Sequence, residues 1–183
     1  GSPEIIAVTP TKDANGDANG MRALFTEISD DTYTFDRIDG SGGVTHLTAT
    51  QRDDTMFGET EFRLSDTVPD GSYLVINNED DAGNSSSTLL IVNTTSSVDV
   101  DLTRAGLTQF DFDAVDLTWA PDAQLTITDT QLKNMTGPDN TLIIKGDGLD
   151  DVRLDGDFSS TGTQTIDGQT YTIYTLGDNS ASI

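Results

Sequence analysis

The run DGSYLVINNEDDAGNSSSTLLIVN, from Asp70 to Asn93, is the most legible part of this chain. Pro69-Asp70-Gly71 reads as a tight turn, because proline presets one backbone angle and glycine accepts the next. Tyr73–Asn77 follows as a strand of β-branched and aromatic residues. Asn78–Asn84 reads as an acidic loop, and Ser87–Val92 as the strand that returns from it. Two strands around a short polar loop make a hairpin, and a hairpin needs a sheet to join.

Upstream, strand signals recur at short spacing: Glu4–Thr9, Leu24–Ile28, Thr32–Ile38, Val44–Thr50 and Thr60–Leu64. Period-two alternation is read at Tyr33–Phe35 and Tyr73–Val75. Gly, Asp, Asn and Ser fill the gaps, and helix signals are sparse. About seven strands in about ninety residues is the pattern of a β-sandwich. The Thr/Ser run Thr94–Ser97 reads as a linker. Beyond it, strands are expected at Val98–Leu102, Phe110–Leu117, Gln124–Ile127, Thr141–Ile144, Val152–Leu154, Gln164–Ile166 and Thr170–Thr175. Asp167-Gly168 between the last two is a hairpin signal. Thr128 or Asp129 can cap one short helical turn through Met135. The fold class expected is all-β: an immunoglobulin-like sandwich over residues 1–94, then a β-rich module over 95–183 with at most one short helix. Trp119 is expected in the core of the second module.

The chain has 183 residues, no cysteine and a formal charge of −23. Disulfides and cysteine-bound zinc are therefore excluded. The charge opposes nucleic acid, whose binding needs a basic surface. No apolar run approaches membrane-spanning length, so membrane insertion is not expected. Of the 32 acidic residues, 27 are aspartate. Glutamate would serve solubility equally well and is the better helix former. Aspartate is the short carboxylate that folds onto local backbone in turns, and it also fits the oxygen cages that hold calcium. A halophilic surface-layer domain is the alternative that charge alone allows, since salt screens such repulsion. Gly1-Ser2 reads as a cloning scar and the sequence stops inside a strand-like segment. An excised fragment is therefore expected, and a missing targeting signal carries no information on location.

Three acidic clusters are candidate calcium sites. Asp13, Asn15, Asp17 and Asn19 place oxygens at alternate positions, like the front half of an EF-hand loop. Ala18 stands where that loop needs glycine, and Leu24 where it needs a bidentate glutamate, so a distant ligand would have to complete the shell. Glu79, Asp80, Asp81 and Asn84 crowd three carboxylates that repel unless solvated or bridged by a cation. Metal is the expectation at both, against solvated Asx-rich turns. Asp147, Asp150 and Asp151 lie in a stretch similar to one degenerate turn of a calcium-binding nonapeptide repeat. A β-roll needs several tandem copies and only one is present, so this third cluster stays open between a calcium site and an acidic hairpin loop. His46, the lone histidine, reads as a strand or surface residue. No nucleophile motif, phosphate loop or metalloprotease motif occurs, and no enzyme is expected.

The Asp70–Asn93 stretch, through Asp81-Ala82-Gly83-Asn84-Ser85, resembles the closing strands of immunoglobulin-like repeats in giant bacterial adhesins exported by type I secretion. FDAVDLTW (112–119), LTITDTQLKNM (125–135), NTLIIKGDGLDDVRLDGDF (140–158) and GTQTIDGQTYTIYTLGDNSASI (162–183) resemble a module near the C-terminal region of such RTX-type proteins. The first 65 residues match poorly. The resemblance implies a calcium-stabilised segment on the bacterial cell surface, acting as a stiff spacer or in biofilm attachment. Its partners would be neighbouring repeats of the same chain and a host or biofilm glycan or peptide. The alternative within the same family is a calcium-dependent sugar- or peptide-binding module, with Asp13–Gln51 as the place to look.

Overall fold

The computed structural model describes residues 1–95, 97–136, 141–146, 150–156, 158–166 and 169–176. Their strands are β1 (Ile5–Lys12), β2 (Ala18–Glu27), β3 (Thr32–Ile38), β4 (Val44–Leu47), β5 (Ala49–Asp54), β6 (Glu59–Pro69), β7 (Tyr73–Glu79) and β8 (Ser85–Ile91). The second half adds β9 (Val98–Val100), β10 (Ala114–Asp116), β11 (Ala123–Thr128), β12 (Ile143–Lys145), β13 (Asp151–Asp155), β14 (Phe158–Ile166) and β15 (Gln169–Leu176). One α-helix, α1 (Asp129–Met135), is present among the described residues, with a 3-10 turn at Ala105–Gln109. Thr128 is the N-cap of α1: its hydroxyl accepts from Gln131 N–H, and the Gln131 side chain accepts from Thr128 N–H. That reciprocal pair satisfies two helix-end donors and fixes where the helix starts. The expected all-β class holds.

The first eight strands form the immunoglobulin-like sandwich. One sheet runs β1-β2-β6-β5 and the other contains β8-β7-β3-β4, all antiparallel. That is the ABED and GFC order of the immunoglobulin fold, with β4 added beside β3. The expected single strand Val44–Thr50 is in fact two strands in different sheets. The chain leaves the second sheet after Leu47 and enters the first at Ala49, while Thr48 is held by Ser65 on β6. Between the sheets lie Ile5, Met21, Leu24, Phe35, Phe62, Leu64, Leu74, Ile76 and Leu90.

The second sheet does not end at β8. Its free edge pairs in parallel with β10, and β10 pairs in parallel with β12. A third sheet, β13-β11-β9, is also parallel. From β8 onward the chain therefore winds alternately through two parallel sheets. Ala114 aligns with Thr88, 26 residues earlier, and Ile143 with Ala114, 29 residues earlier. Parallel strands need such long crossovers, here filled by the 3-10 turn and α1. Inside the winding lies a second core of Val100, Leu107, Phe112, Val115, Leu117, Leu125, Ile127, Leu132 and Met135.

That core also contains Tyr73, Val75, Leu89 and Ile91. Side chains alternate across a strand. Tyr73 and Val75 thus enter the second core while Leu74 and Ile76 enter the first. Leu89 and Ile91 divide from Leu90 and Val92 in the same way. Leu74 is apolar and buried, so Tyr73–Ile76 is a continuous apolar run of the kind found in strands covered on both faces, rather than an alternating one. The expected boundary between residues 94 and 95 falls inside this arrangement. Thr94, at the start of the expected linker, is tied down, its N–H and Oγ1 donating to the two carboxylate oxygens of Asp70 at 2.9 and 2.7 Å.

Two further expectations change. Phe110–Leu117 yields a strand only over Ala114–Asp116, because Phe112 N–H donates to Met135 O at 2.6 Å and is drawn off the sheet. Trp119 packs against the core between the first two sheets, not the core of the winding. The Asp167-Gly168 turn lies outside the described residues, although β14 and β15 on either side pair antiparallel in register from Ile166↔Gln169.

Candidate functional site

Two of the acidic clusters, those at Asp13 and Asp80, are hairpin turns, and the β3–β4 turn at Asp39 shares their geometry. In the β1–β2 turn, Asp13 N–H donates to Asp17 O at 2.8 Å and Gly16 N–H donates to Asp13 O at 3.0 Å. The Asp13 carboxylate then accepts from the N–H groups of Asn15 and Asp17 through a single oxygen. In the β7–β8 turn, Asp80 does the same toward Ala82 and Asn84, at 3.0 and 2.9 Å. In the β3–β4 turn, Asp39 does so toward Ser41 and Gly43, at 3.0 and 2.9 Å. Each turn closes on a glycine with positive φ: Gly16 at 83°, Gly42 at 91° and Gly83 at 84°. This is the three-residue hairpin loop, a type I turn followed by a left-handed residue. Aspartate has the length to bridge its own turn, and glutamate is one methylene too long for the same closure.

The chemistry of these carboxylates follows from the bonds. Asp80 lies below the usual carboxylate range because Asn84 donates to it through backbone and side chain. Asp39 is lowered by the Ser41 hydroxyl first and by the Gly43 N–H next. Asp101 caps Thr103 in the same manner and is also lowered, chiefly by the Thr103 hydroxyl.

The proposed ligand sets are spread out by this geometry. Asp13 turns inward onto its own loop, while Asn19 accepts from the Thr11 hydroxyl across the hairpin at 2.7 Å. Asn15 and Asp17 are exposed, and so are Glu79, Asp81 and Asn84. The Asn84 amide donates to Asp80 at 3.1 Å. Among the described residues, no three acidic or histidine side chains gather as a metal would require. The turns complete their own hydrogen bonds from within the chain. In the third cluster, Asp147 lies outside the described residues. Asp150 accepts from Ala123 N–H at 2.9 Å and so ties the loop before β13 to β11. Asp151 opens β13 and stands exposed on the outer face of the third sheet. His46 is exposed, with Nδ1 3.4 Å from Asp36.

Two features escaped the sequence reading. The Asp39 turn carries no acidic run, yet it shows the same Asp-x-x-Gly spacing as Asp13–Gly16 and Asp80–Gly83, and that spacing was the available signal. Asp116 is the other. It is 3% exposed on β10, on the sheet face opposite Val115 and Leu117. Burial raises its pKa, against donation from Thr118 and the nearby Lys145 charge, and Asp150 raises it further. A hollow of about 330 Å³ lies between the N-terminal residues and Glu4, Thr26, Glu27, Asp31 and Tyr33. Burial raises the Tyr33 phenol.

Compared with known proteins, the chain matches no family model, no curated relative and no solved structure. No helix among the described residues is long and apolar enough to cross a membrane.

Two outcomes follow from these turns and from Asp116. Asp80→Ala removes both N–H acceptors of its turn and is expected to lower Tm by a few degrees, whereas Asp81→Ala, whose side chain lies outside the turn bonds, leaves Tm nearly unchanged. Thermal melts of both variants decide this. Asp116 has the opposite sign. A carboxyl with a raised folded pKa contributes most below the unfolded pKa, near pH 4, and that contribution is lost as pH rises through the folded value. Asp116→Asn keeps an acceptor for Thr118 without the charge. It is expected to stabilise the chain by about 1 kcal/mol at pH 7, a usual size for one substitution, and by nothing near pH 3. Urea melts at the two pH values measure the difference.

Proposed function

We propose that this chain is a calcium-stabilised extracellular segment of a large bacterial surface adhesin, working as a stiff spacer or as part of the attachment region. The observation that carries the reading is the β8–β10 pair. It continues the sandwich sheet into the parallel winding, so the two halves share strands and core instead of hanging from a linker. A segment built this way resists bending at its midpoint, as a spacer must. The proposal is mechanical and assigns no catalytic residue.

Calcium enters through the carboxylates that the turns leave open. Asp17, Glu79 and Asp81 are exposed at hairpin tips. With a net charge of −23, the chain repels itself and its neighbouring repeats. Divalent ions bridging such tips to the next repeat would relieve that repulsion. A neighbouring repeat would supply further oxygens to such a bridge.

Thermal unfolding in EDTA, in millimolar calcium and in millimolar magnesium, at one ionic strength, tests the reading. A ligand that binds only the folded chain at ten times its Kd adds about 1.4 kcal/mol. For a chain of this size that is a rise of about 3–6 °C. The rise is expected in calcium and is expected to exceed that in magnesium. Equal melting in calcium and EDTA contradicts the calcium reading. A rise produced equally well by sodium chloride favours the halophilic surface-layer alternative.

A further inference from the structure

On the outer face of the third sheet, Asp99, Gln124, Thr126, Asp151 and Arg153 surround a hollow of about 220 Å³. Strand alternation places them there. Val100, Leu125, Ile127 and Leu154 point into the core, so the residues between them point out. The register aligns Asp99, Gln124 and Asp151 in one row across three strands, with Thr126 beside Arg153 in the next. Rows in a sheet repeat about every 4.8 Å across strands, and same-face residues about every 6.6 Å along them. The result is a regular grid of polar groups.

These five side chains differ from the aspartates that close the turns, and unlike the open tip carboxylates they gather donors and acceptors on one sheet face. Asp13, Asp39, Asp70, Asp80 and Asp101 are all bonded within their own turns or to neighbouring loops. No hydrogen bond or ion pair engages the side chains around the hollow, although Asp151 and Arg153 lie on one strand. Their inventory is mixed. The two carboxylates accept, the guanidinium donates, and the amide and hydroxyl do both. A bound cation would want acceptors alone and would meet Arg153. An anion would meet two carboxylates on a chain already at −23. A neutral molecule carrying many hydroxyls, each both donor and acceptor, fits the whole set.

We propose that this grid is a binding site for a neutral oligosaccharide, engaged by direct hydrogen bonds without calcium. No aromatic ring lines the hollow. Affinity therefore rests on a few exposed hydrogen bonds and is about millimolar per site. Repetition along a polymeric glycan would raise it.

The test is amide chemical-shift mapping of the intact chain with maltohexaose, cellohexaose, laminarihexaose and mannohexaose, each in calcium and again in EDTA. At least one sugar is expected to shift the amides of 99, 124–126 and 151–153 in both conditions. The Gln124→Ala, Arg153→Ala double variant, whose positions are exposed, is expected to keep its Tm and lose binding at least tenfold. No shift at these amides with any of the four sugars overturns the proposal. Binding that survives in the double variant does so too, as do shifts that occur only in calcium and centre elsewhere. Hexalysine is the control: if it shifts these amides and no sugar does, the surface belongs to a basic segment and the sugar assignment fails. Because the mapping is repeated in EDTA, its outcome does not depend on the calcium melt.

Discussion

Strands β7 and β8 are buried on both faces, and the rest of the molecule is arranged around that constraint. An apolar run such as Tyr73–Ile76 cannot leave either side to water without cost, at about 25 cal/mol for each Å² exposed. One face is covered by the β1-β2-β6-β5 sheet of the sandwich. The other is covered by the parallel winding of the second half. Tyr73 shows how closely the two are joined. Its ring lies in the second core, its hydroxyl accepts from Asp101 N–H at 2.6 Å, and the Arg104 guanidinium sits 3.8 Å above the ring. The winding in turn needs β8 as its first rung, since β10 has no other template on that side. The two halves thus share one sheet, and β7 and β8 contribute to both cores.

The acidity has a local explanation that composition alone leaves open. A hairpin with a three-residue loop needs a residue that can satisfy two backbone N–H groups of its own turn, and a glycine to close it. Asp13, Asp39 and Asp80 perform that task at three separate turns of the sandwich. Aspartate is therefore selected by backbone geometry at some positions, and its charge accumulates as a consequence. The remaining tip carboxylates are the ones free to meet cations or neighbours. Seen this way, the excess of aspartate over glutamate and a response to divalent ions are separate properties, and the first does not require the second.

Much of the sandwich was legible because its determinants are local. Alternation in β3, the Pro69-Asp70-Gly71 turn and the Asp80–Asn84 loop each lie within a few residues of the structure they specify. The parallel winding was not legible. β9, β10 and β12 are three residues long, their partners are more than twenty residues away, and no turn motif announces a parallel pair. The crossovers differ in length and content, so no repeat is visible in the sequence. The expected strand Phe110–Leu117 shortened to Ala114–Asp116, because a tertiary hydrogen bond from Phe112 to Met135 overrode the local pattern. The acidic sites were legible as positions and ambiguous as chemistry, because a calcium loop and an Asx turn draw on the same residues. The hollow on the third sheet was invisible to sequence, since its residues meet only through parallel register.

Native-state hydrogen exchange, read residue by residue across a urea series, tests the shared-sheet account most directly. If β7 and β8 depend on both layers, the slowest amides of β7, β8, β10 and β11 open together, with one free energy and one urea dependence equal to those of global unfolding. If β10 and β11 instead exchange through a separate opening of lower free energy while β7 and β8 stay protected, the two halves are independent units and the account is wrong.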